Sequence, residues 1–323
     1  MIETTPFHLP VLLPQVLKYL AVKPGKKYID ATLGGGGYTD EILKLGGVVL
    51  GIDRDQDAID YVRQKFNPPA GEQASKVKIG KDVNLVRGNF ADIENIAKRN
   101  NFENADGIVF DLGLSSFQIE KSGRGFTYQK DEPLDMRAGG EDSITAFEVV
   151  NTYNKESLYE IFTKYAEELN SGAIASAIVR ARSLEGKVRT TGKLASIITG
   201  ALDRNIRITR KDANTVSGAI NDKNNEKKSV ARVFQAIRIE VNDELTNLKA
   251  GIEGAIRILT QHGNLVVVSY HSLEDRIVKI IFESYNHKKV IYKTTPRPVV
   301  ADHWEIKSNL RARSAKLRAV TKL

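Results

Sequence analysis

Three aspartates and one run of glycines carry the chemistry that can be read first. Asp30 ends the apolar stretch around Tyr28 and Ile29, Gly34–Gly37 are four consecutive glycines, and Asp53 ends a second apolar run, Val48–Asp53. A strand stopped by glycines and followed by a helix start makes a cradle where a ligand can approach bare backbone. Thr39 is placed to cap that helix, with Asp40 and Glu41 in its first turn. The carboxylate after the second strand is where doubly wound nucleoside-binding sheets bond a ribose hydroxyl pair. The loop is a poor dinucleotide fingerprint, because the third glycine of G-x-G-x-x-G would fall on Thr39. Asp30 would oppose a pyrophosphate but suits a ligand carrying positive charge. Adenosylmethionine, with its sulfonium and ammonium, meets that description and NAD does not.

A third carboxylate, Asp111, closes the apolar run Asp106–Asp111, beside where the reactive end of such a ligand would lie. Phe90 follows the strand pattern Val83–Arg87 and could flank an adenine ring or serve the core. Tyr270-His-Ser-Leu-Glu-Asp-Arg276 follows the apolar run Leu265–Ser269 and opens a helix. There His271 is a candidate for touching substrate, or a histidine that serves the helix start beside Glu274 and Asp275. The chain has no cysteine, which excludes disulfides and thiolate metal sites, and no metal is expected. It also removes every cysteine nucleophile.

These residues must be held by a sheet. Apolar runs alternate with helical patterns (Gln56–Lys65 and Ile93–Arg99 among them), which predicts a parallel sheet with helices on both faces. Ligands on such sheets bind at the strands' carboxyl ends, where the glycine loop, Asp53, Phe90 and Asp111 all fall. Ala70–Lys81 reads as an exposed polar loop and Asp212–Ser229 as a mobile one. Arg232–Leu259 reads as one long helix, Leu265–Tyr270 as a fifth strand, and Lys289–Thr294 and Lys316–Lys322 as final strands. The periodicity from about Ser143 to Gly200 is helical, so residues 119–229 are read as an inserted helical domain. Residues 1–118 with 230–323 then form the sheet domain.

The 323 residues carry a net charge of +8 and no run long enough to cross a membrane. The start has neither a basic n-region nor an apolar h-region, so the cytoplasm is expected. Charge is segregated: Arg180–Lys228 holds twelve Lys/Arg against five Asp/Glu, and no acid follows Lys307. Such clusters suit phosphates.

Several stretches together resemble the bacterial small-subunit ribosomal RNA cytosine-N4 methyltransferase family, methyltransferase H. They are His8-x-Pro-Val-Leu-Leu, Asp30–Tyr38, Gly51-Ile-Asp-Arg-Asp, Asp106–Ser116, Arg124-Gly-Phe, Pro133-Leu-Asp-Met-Arg, Phe234-Gln-Ala-Ile-Arg-Ile, Tyr270–Lys279 and Arg311-Ala-Arg-Ser. The resemblance implies a class I (Rossmann-like) methyltransferase: an α/β fold with a mostly parallel, seven-stranded doubly wound sheet and an inserted helical substrate domain. It implies S-adenosyl-L-methionine as cofactor, held by Gly36, Gly37, Tyr38, Asp53, Phe90, Asp111 and Gln118. Histidine is common in the family at Tyr38, so a backbone contact is expected there. Lys228–Phe234 and Asn309-Leu310 also depart from the family's pattern. The implied substrate is 16S rRNA within the small ribosomal subunit, methylated at cytidine N4 near the decoding centre. Asp111 and His271 are the candidate catalytic residues. DNA enzymes of this kind carry Asp/Asn-Pro-Pro-Tyr/Phe after the fourth strand, where Asp111-Leu-Gly-Leu stands here, so DNA is not expected. Another nucleic-acid amine, or an RNA-binding assembly factor without turnover, are the alternative readings. A monomer or homodimer is expected.

Overall fold

The computed structural model describes residues 10–68, 77–115, 118–119, 122–139, 144–212 and 219–323, the side chains of 204–212 and 219–224 excepted. His8, most of the polar stretch after Pro68 and residues 213–218 lie outside them. Seven strands are present among the described residues: β1 Lys27–Asp30, β2 Val48–Asp53, β3 Val83–Arg87, β4 Ala105–Asp111, β5 Leu259–Ser269, β6 Ile291–Lys293 and β7 Lys316–Lys322. They form one sheet in the order β3-β2-β1-β4-β5-β7-β6. The β5–β7 and β7–β6 pairs are antiparallel and the other pairs parallel. This is the α/β class I methyltransferase sheet that the resemblance implies.

Side chains alternate between two cores, as the period of a strand requires. Ile29, Ile108, Phe110, Leu265 and Val267 join residues of the helices Ile93–Arg99, Glu244–Ile258 and Ser272–His287. Tyr28, Val109, Val266 and Val268 join the helices Leu13–Leu20, Gly37–Lys44 and Gln56–Phe66 on the other face. Both faces being covered explains why these strands read as continuous apolar runs. Each fully buried Val, Leu or Ile contributes about 1.5–3 kcal/mol. Among the described residues no helix is long and apolar enough to cross a membrane.

The chain divides into two compact units, Met1–Ser115 with Leu245–Leu323, and Ser116–Glu244. Residues 230–244, read from sequence with the sheet domain, belong to the second unit. The expected long helix Arg232–Leu259 is two helices, Ala219–Asn242 and Glu244–Ile258. The break falls at Asp243, whose φ of 47° is left-handed, a conformation that aspartate tolerates better than most residues. Residues 219–229, expected in a mobile loop, form the first turns of the helix Ala219–Asn242. That helix becomes anchored at Val230 and Val233, both buried.

Within the second unit the helices Ala146–Thr152, Lys155–Ala166, Ser171–Leu184 and Thr191–Asp212 precede Ala219–Asn242. Two of the signature stretches are fastened to each other there. Met136 N donates to Arg124 O (2.7 Å) and Gly125 N donates to Glu132 Oε2 (2.9 Å). Asn242 Nδ2 donates to Met136 O (2.8 Å), and the Arg137 guanidinium forks onto Asp135 (2.8 Å for each arm). Gly125, at φ +75°, leaves no room for a side chain: a Cβ would stand 2.2 Å from the Pro133 carbonyl oxygen. Gly125→Ala therefore destabilises the protein by roughly 2 kcal/mol or more in urea unfolding. Gly123→Ala is the comparison, because its φ of +65° is also left-handed but no atom lies within 4 Å of the new Cβ. Equal losses in the two variants would contradict this account of the clamp.

Candidate active site

The parallel strands β1, β2 and β4 end at Asp30, Asp53 and Asp111, so the three carboxylates share one edge of the sheet. Asp30 is fully buried. Its Oδ2 accepts from Thr39 Oγ1 (2.8 Å) and its Oδ1 from Thr32 N (3.4 Å). Asp30 thus braces the loop from within. Thr39 does not cap the helix as expected. The helix is Gly37–Lys44, its N-cap is Gly36 at φ 72°, and no side chain caps it. Thr39 is the third residue of that helix, inside its first turn, and its hydroxyl bonds the carboxylate nine residues earlier instead. Among the described residues the N–H groups of Gly37 and Tyr38 consequently have no hydrogen-bond acceptor, which leaves donors for the anionic end of a ligand.

The loop's shape depends on its glycines. A Cβ on Gly36 would meet Val62 at 3.1 Å, and one on Gly37 would meet the Pro10 ring at 2.4 Å. The side chain of Tyr38 is buried with its hydroxyl donating to Val11 O, so only its backbone faces the loop's ligand side. Asp53 Oδ2 accepts from Gly34 N (2.8 Å) and Oδ1 from Asp55 N (2.9 Å), locking β2 to the glycine loop while part of the residue stays open to solvent. Phe90 opens a short turn, Phe90–Asp92, and packs edge-on against Phe110 at 5.5 Å. Behind it Gly251 provides the room, since a Cβ there would lie 2.7 Å from the Phe90 ring.

Asp111 is the best-positioned carboxylate. Its backbone N donates to Thr32 Oγ1 (2.7 Å), and Tyr270 Oη donates to Oδ1 (2.5 Å). Its Oδ2 has no hydrogen-bond partner among the described residues. The Tyr270 ring lies beside Gly113, where a Cβ would come within 3.2 Å of it. The Arg311 guanidinium lies 5.8 Å from the centre of that ring and donates through Nη2 to Leu114 O (2.5 Å). Sequence reasoning did not single out Tyr270, Arg311 or Thr32 for these roles. All three do stand in quoted motifs, Thr32 in Asp30–Tyr38, Tyr270 in Tyr270–Lys279 and Arg311 in Arg311-Ala-Arg-Ser.

Burial dominates the electrostatics. It pushes Asp30 up to about 7, against hydrogen bonds from Thr39 and Thr32 that lower it. Burial likewise raises Asp53 to about 6, offset by the N–H groups of Asp55 and Gly34. Asp111 is raised to about 6 by burial, with the Tyr270 hydrogen bond and the charge of Arg311 acting the other way. Burial and the neighbouring Asp111 push the Tyr270 phenol far up, so it stays protonated as a donor. Among the described residues no lysine or arginine pairs with Asp30 or Asp53. A cationic ligand would supply the missing charge.

His271 caps the helix Ser272–His287. Its Nδ1 accepts from Glu274 N (3.4 Å), while Glu274 Oε2 accepts from the backbone of His271 (3.2 Å) and of Tyr270 (2.8 Å). Its Nε2 lies 3.1 Å from Glu274 Oε1. The imidazole is thus engaged with the first turn of its own helix, and holds Tyr270 in place through the shared Glu274. Asp275 ties that helix to β7 by accepting from Arg318 Nε (2.6 Å). Gln118, the remaining residue carried over from the family, is buried and lies in the second unit.

The model of the MraW methylase family matches residues 5–323. A relative from Carboxydothermus hydrogenoformans, named ribosomal RNA small subunit methyltransferase H, is 38% identical over 332 residues and covers 98% of each chain. One of the same name from Dictyoglomus thermophilum is 39% identical over 321 residues, covering 98% of this chain and 97% of the relative. Among solved structures, an rRNA methylase from Streptococcus thermophilus is 10% identical with a TM-score of 0.42, covering 96% of this chain and 95% of that one.

Proposed function

The chain belongs to the MraW methylase family, and from that premise we propose that it methylates N4 of a cytidine in the decoding region of 16S rRNA, using S-adenosylmethionine. The observation that carries the reading is the Asp111 carboxylate, held through Oδ1 by Tyr270 at the sheet edge that also presents Asp53 and the start of the helix Gly37–Lys44. The donor set fits the cofactor. The Gly37 and Tyr38 N–H groups suit its carboxylate, Asp53 its ribose hydroxyls, Phe90 its adenine and Asp111 its positive end. When bound, the cofactor supplies an electrophilic methyl group on a sulfonium.

The protein's own task is to prepare the amine. The N4 lone pair is delocalised into the pyrimidine ring, so it must be drawn out and aimed at the methyl group. Asp111 Oδ2 accepts a hydrogen bond from the N4 amine and concentrates electron density on nitrogen. Tyr270 keeps Oδ1 from rotating into that place, and the Arg311 guanidinium lies 5.8 Å from the centre of the Tyr270 ring. With its carboxyl raised to about 6, Asp111 can also take the proton that the amine loses after transfer. His271 lines the same edge and holds the turn that carries Tyr270. The target base must leave its stack to reach this position. The second unit, Ser116–Glu244, serves as the substrate-recognition domain, and the first, Met1–Ser115 with Leu245–Leu323, as the cofactor domain. The protein acts on the small subunit in the cytoplasm, as a monomer or homodimer.

The test supplies methyl-labelled adenosylmethionine together with small subunits from cells lacking the protein, free rRNA or duplex DNA. Label enters the RNA of the assembled subunit in preference to free rRNA, and not the DNA. Cofactor binding without label on any of the three would contradict the proposal and favour an assembly factor without turnover.

A further inference from the structure

The segment that leads into β7 is built into the site on one side and open to solvent on the other. Lys316 pairs with Ser269 in the antiparallel β5–β7 ladder, so the residues just before it emerge at the edge that carries Asp53 and Asp111. The segment is held in place. Val299 exchanges backbone hydrogen bonds with Leu317 (2.9 and 2.8 Å), and Arg311 reaches inward to Leu114 and Tyr270. Its two acids serve as fasteners: Asp302 Oδ1 accepts from Glu305 N (2.8 Å), and Glu305 Oε1 accepts from Leu12 N (2.5 Å).

The outward side is composed differently. Trp304, on the short helix His303–Ser308, is 74% exposed and Leu310 is 77% exposed. Arg297, Lys307 and Arg313 are exposed in the same segment, Lys307 three residues after Trp304 on one helix. Large exposed apolar side chains gathered in one short segment mark a binding surface. Exposed cations in the segment that carries the indole and leads to the edge where a nucleotide must arrive match a polyanion that carries planar bases.

We propose that Trp304 and Leu310, flanked by Arg297, Lys307 and Arg313, form a docking platform for a single-stranded stretch of the RNA substrate. An unpaired base stacks on the indole while the target nucleotide enters beside Asp111. This rests on the function proposed above and adds to it the surface that receives the flanking RNA.

Trp304 is the only tryptophan in the chain, so its emission reports on this surface alone. Short single-stranded RNA quenches it saturably, and added salt weakens the effect. Heparin, a polyanion without bases, does not quench it. Trp304→Ala raises KM for the small subunit about tenfold and Trp304→Phe retains most of the affinity. Cofactor binding is the folding control for both variants. Emission indifferent to RNA, or an unchanged KM in Trp304→Ala, would overturn the proposal. So would a response to intact subunits but not to RNA alone, which assigns the surface to a protein, or to the protein's own concentration, which assigns it to a second copy. Quenching by RNA in a protein that transfers no methyl group would keep the platform and remove the enzymatic reading. Methyl transfer without quenching would do the reverse.

Discussion

Asp111→Asn lowers the single-turnover rate of methyl transfer by about 10²–10³-fold and leaves RNA binding within a few-fold of the wild type. The substitution preserves shape, and the amide oxygen can still accept from Tyr270 as Asp111 Oδ1 does at 2.5 Å. That orientation places the amide N–H₂ in the position of Oδ2, so a donor meets the donor amine of the base. The loss falls on the chemical step because the acceptor acts as the nitrogen becomes nucleophilic. Rapid-quench kinetics at saturating cofactor isolate that step, and Asp111→Ala should be similarly slow. Tyr270→Phe gives a smaller loss with a diagnostic sign. Without the hydrogen bond that lowers it, the Asp111 carboxyl rises above its value of about 6, and the acid limb of the rate profile moves to higher pH. The groups facing Asp111 are Tyr270, Arg311, Glu274, Asp30 and Tyr38, and only Tyr270 is altered in that comparison. A wild-type rate in Asp111→Asn would remove the residue from the mechanism.

Asp53→Asn weakens cofactor binding by about 2–3 kcal/mol, roughly 30- to 150-fold, because a charged acceptor for the ribose hydroxyls is lost. Calorimetric titration reads this directly. The same variant behaves oppositely in the ligand-free protein as pH changes. A carboxyl raised to about 6 by burial stabilises the fold below its ordinary value near 3.8, and that contribution is lost as pH rises through about 6. Asparagine does not titrate. The melting temperature of the variant relative to the wild type should therefore climb between about pH 4 and pH 6 and level off above that. Wild-type cofactor affinity should climb between about pH 5 and pH 8 as Asp53, Asp111 and Asp30 ionise, and more shallowly in the variant. A pH-independent difference in melting temperature would contradict the assigned titration.

How much was legible in the sequence follows from the range of the interactions involved. Strands ending in Asp53 and Asp111 were readable because an apolar run and its terminal carboxylate are local features. The glycine loop was readable for the same reason. Thr39 was misread because its position before Asp40 and Glu41 has the local form of a cap, while its actual partner is a carboxylate on the preceding strand. Asp243 escaped notice because apolar spacing runs through Val241, Leu245 and Leu248 without a fault. The kink is instead supported by side chains, with Asn242 bonded to Met136 O and Arg238 forked onto Glu244. Tyr270 shows the limit most clearly. Its hydroxyl is committed to a residue 159 positions earlier, which no local pattern displays. The motif that contains it drew attention to His271, whose ring turns out to serve the helix start.

The central claim is that Asp111 presents the N4 amine of a cytidine to the methyl donor. Nucleoside mass spectrometry on small-subunit RNA, treated with the purified protein and adenosylmethionine, tests it most directly. The expected product is N4-methylcytidine, formed about 10²–10³-fold more slowly when Asp111→Asn replaces the wild type under the same conditions. A methyl group on any other atom, C5 of cytosine or N6 of adenine included, would contradict the account.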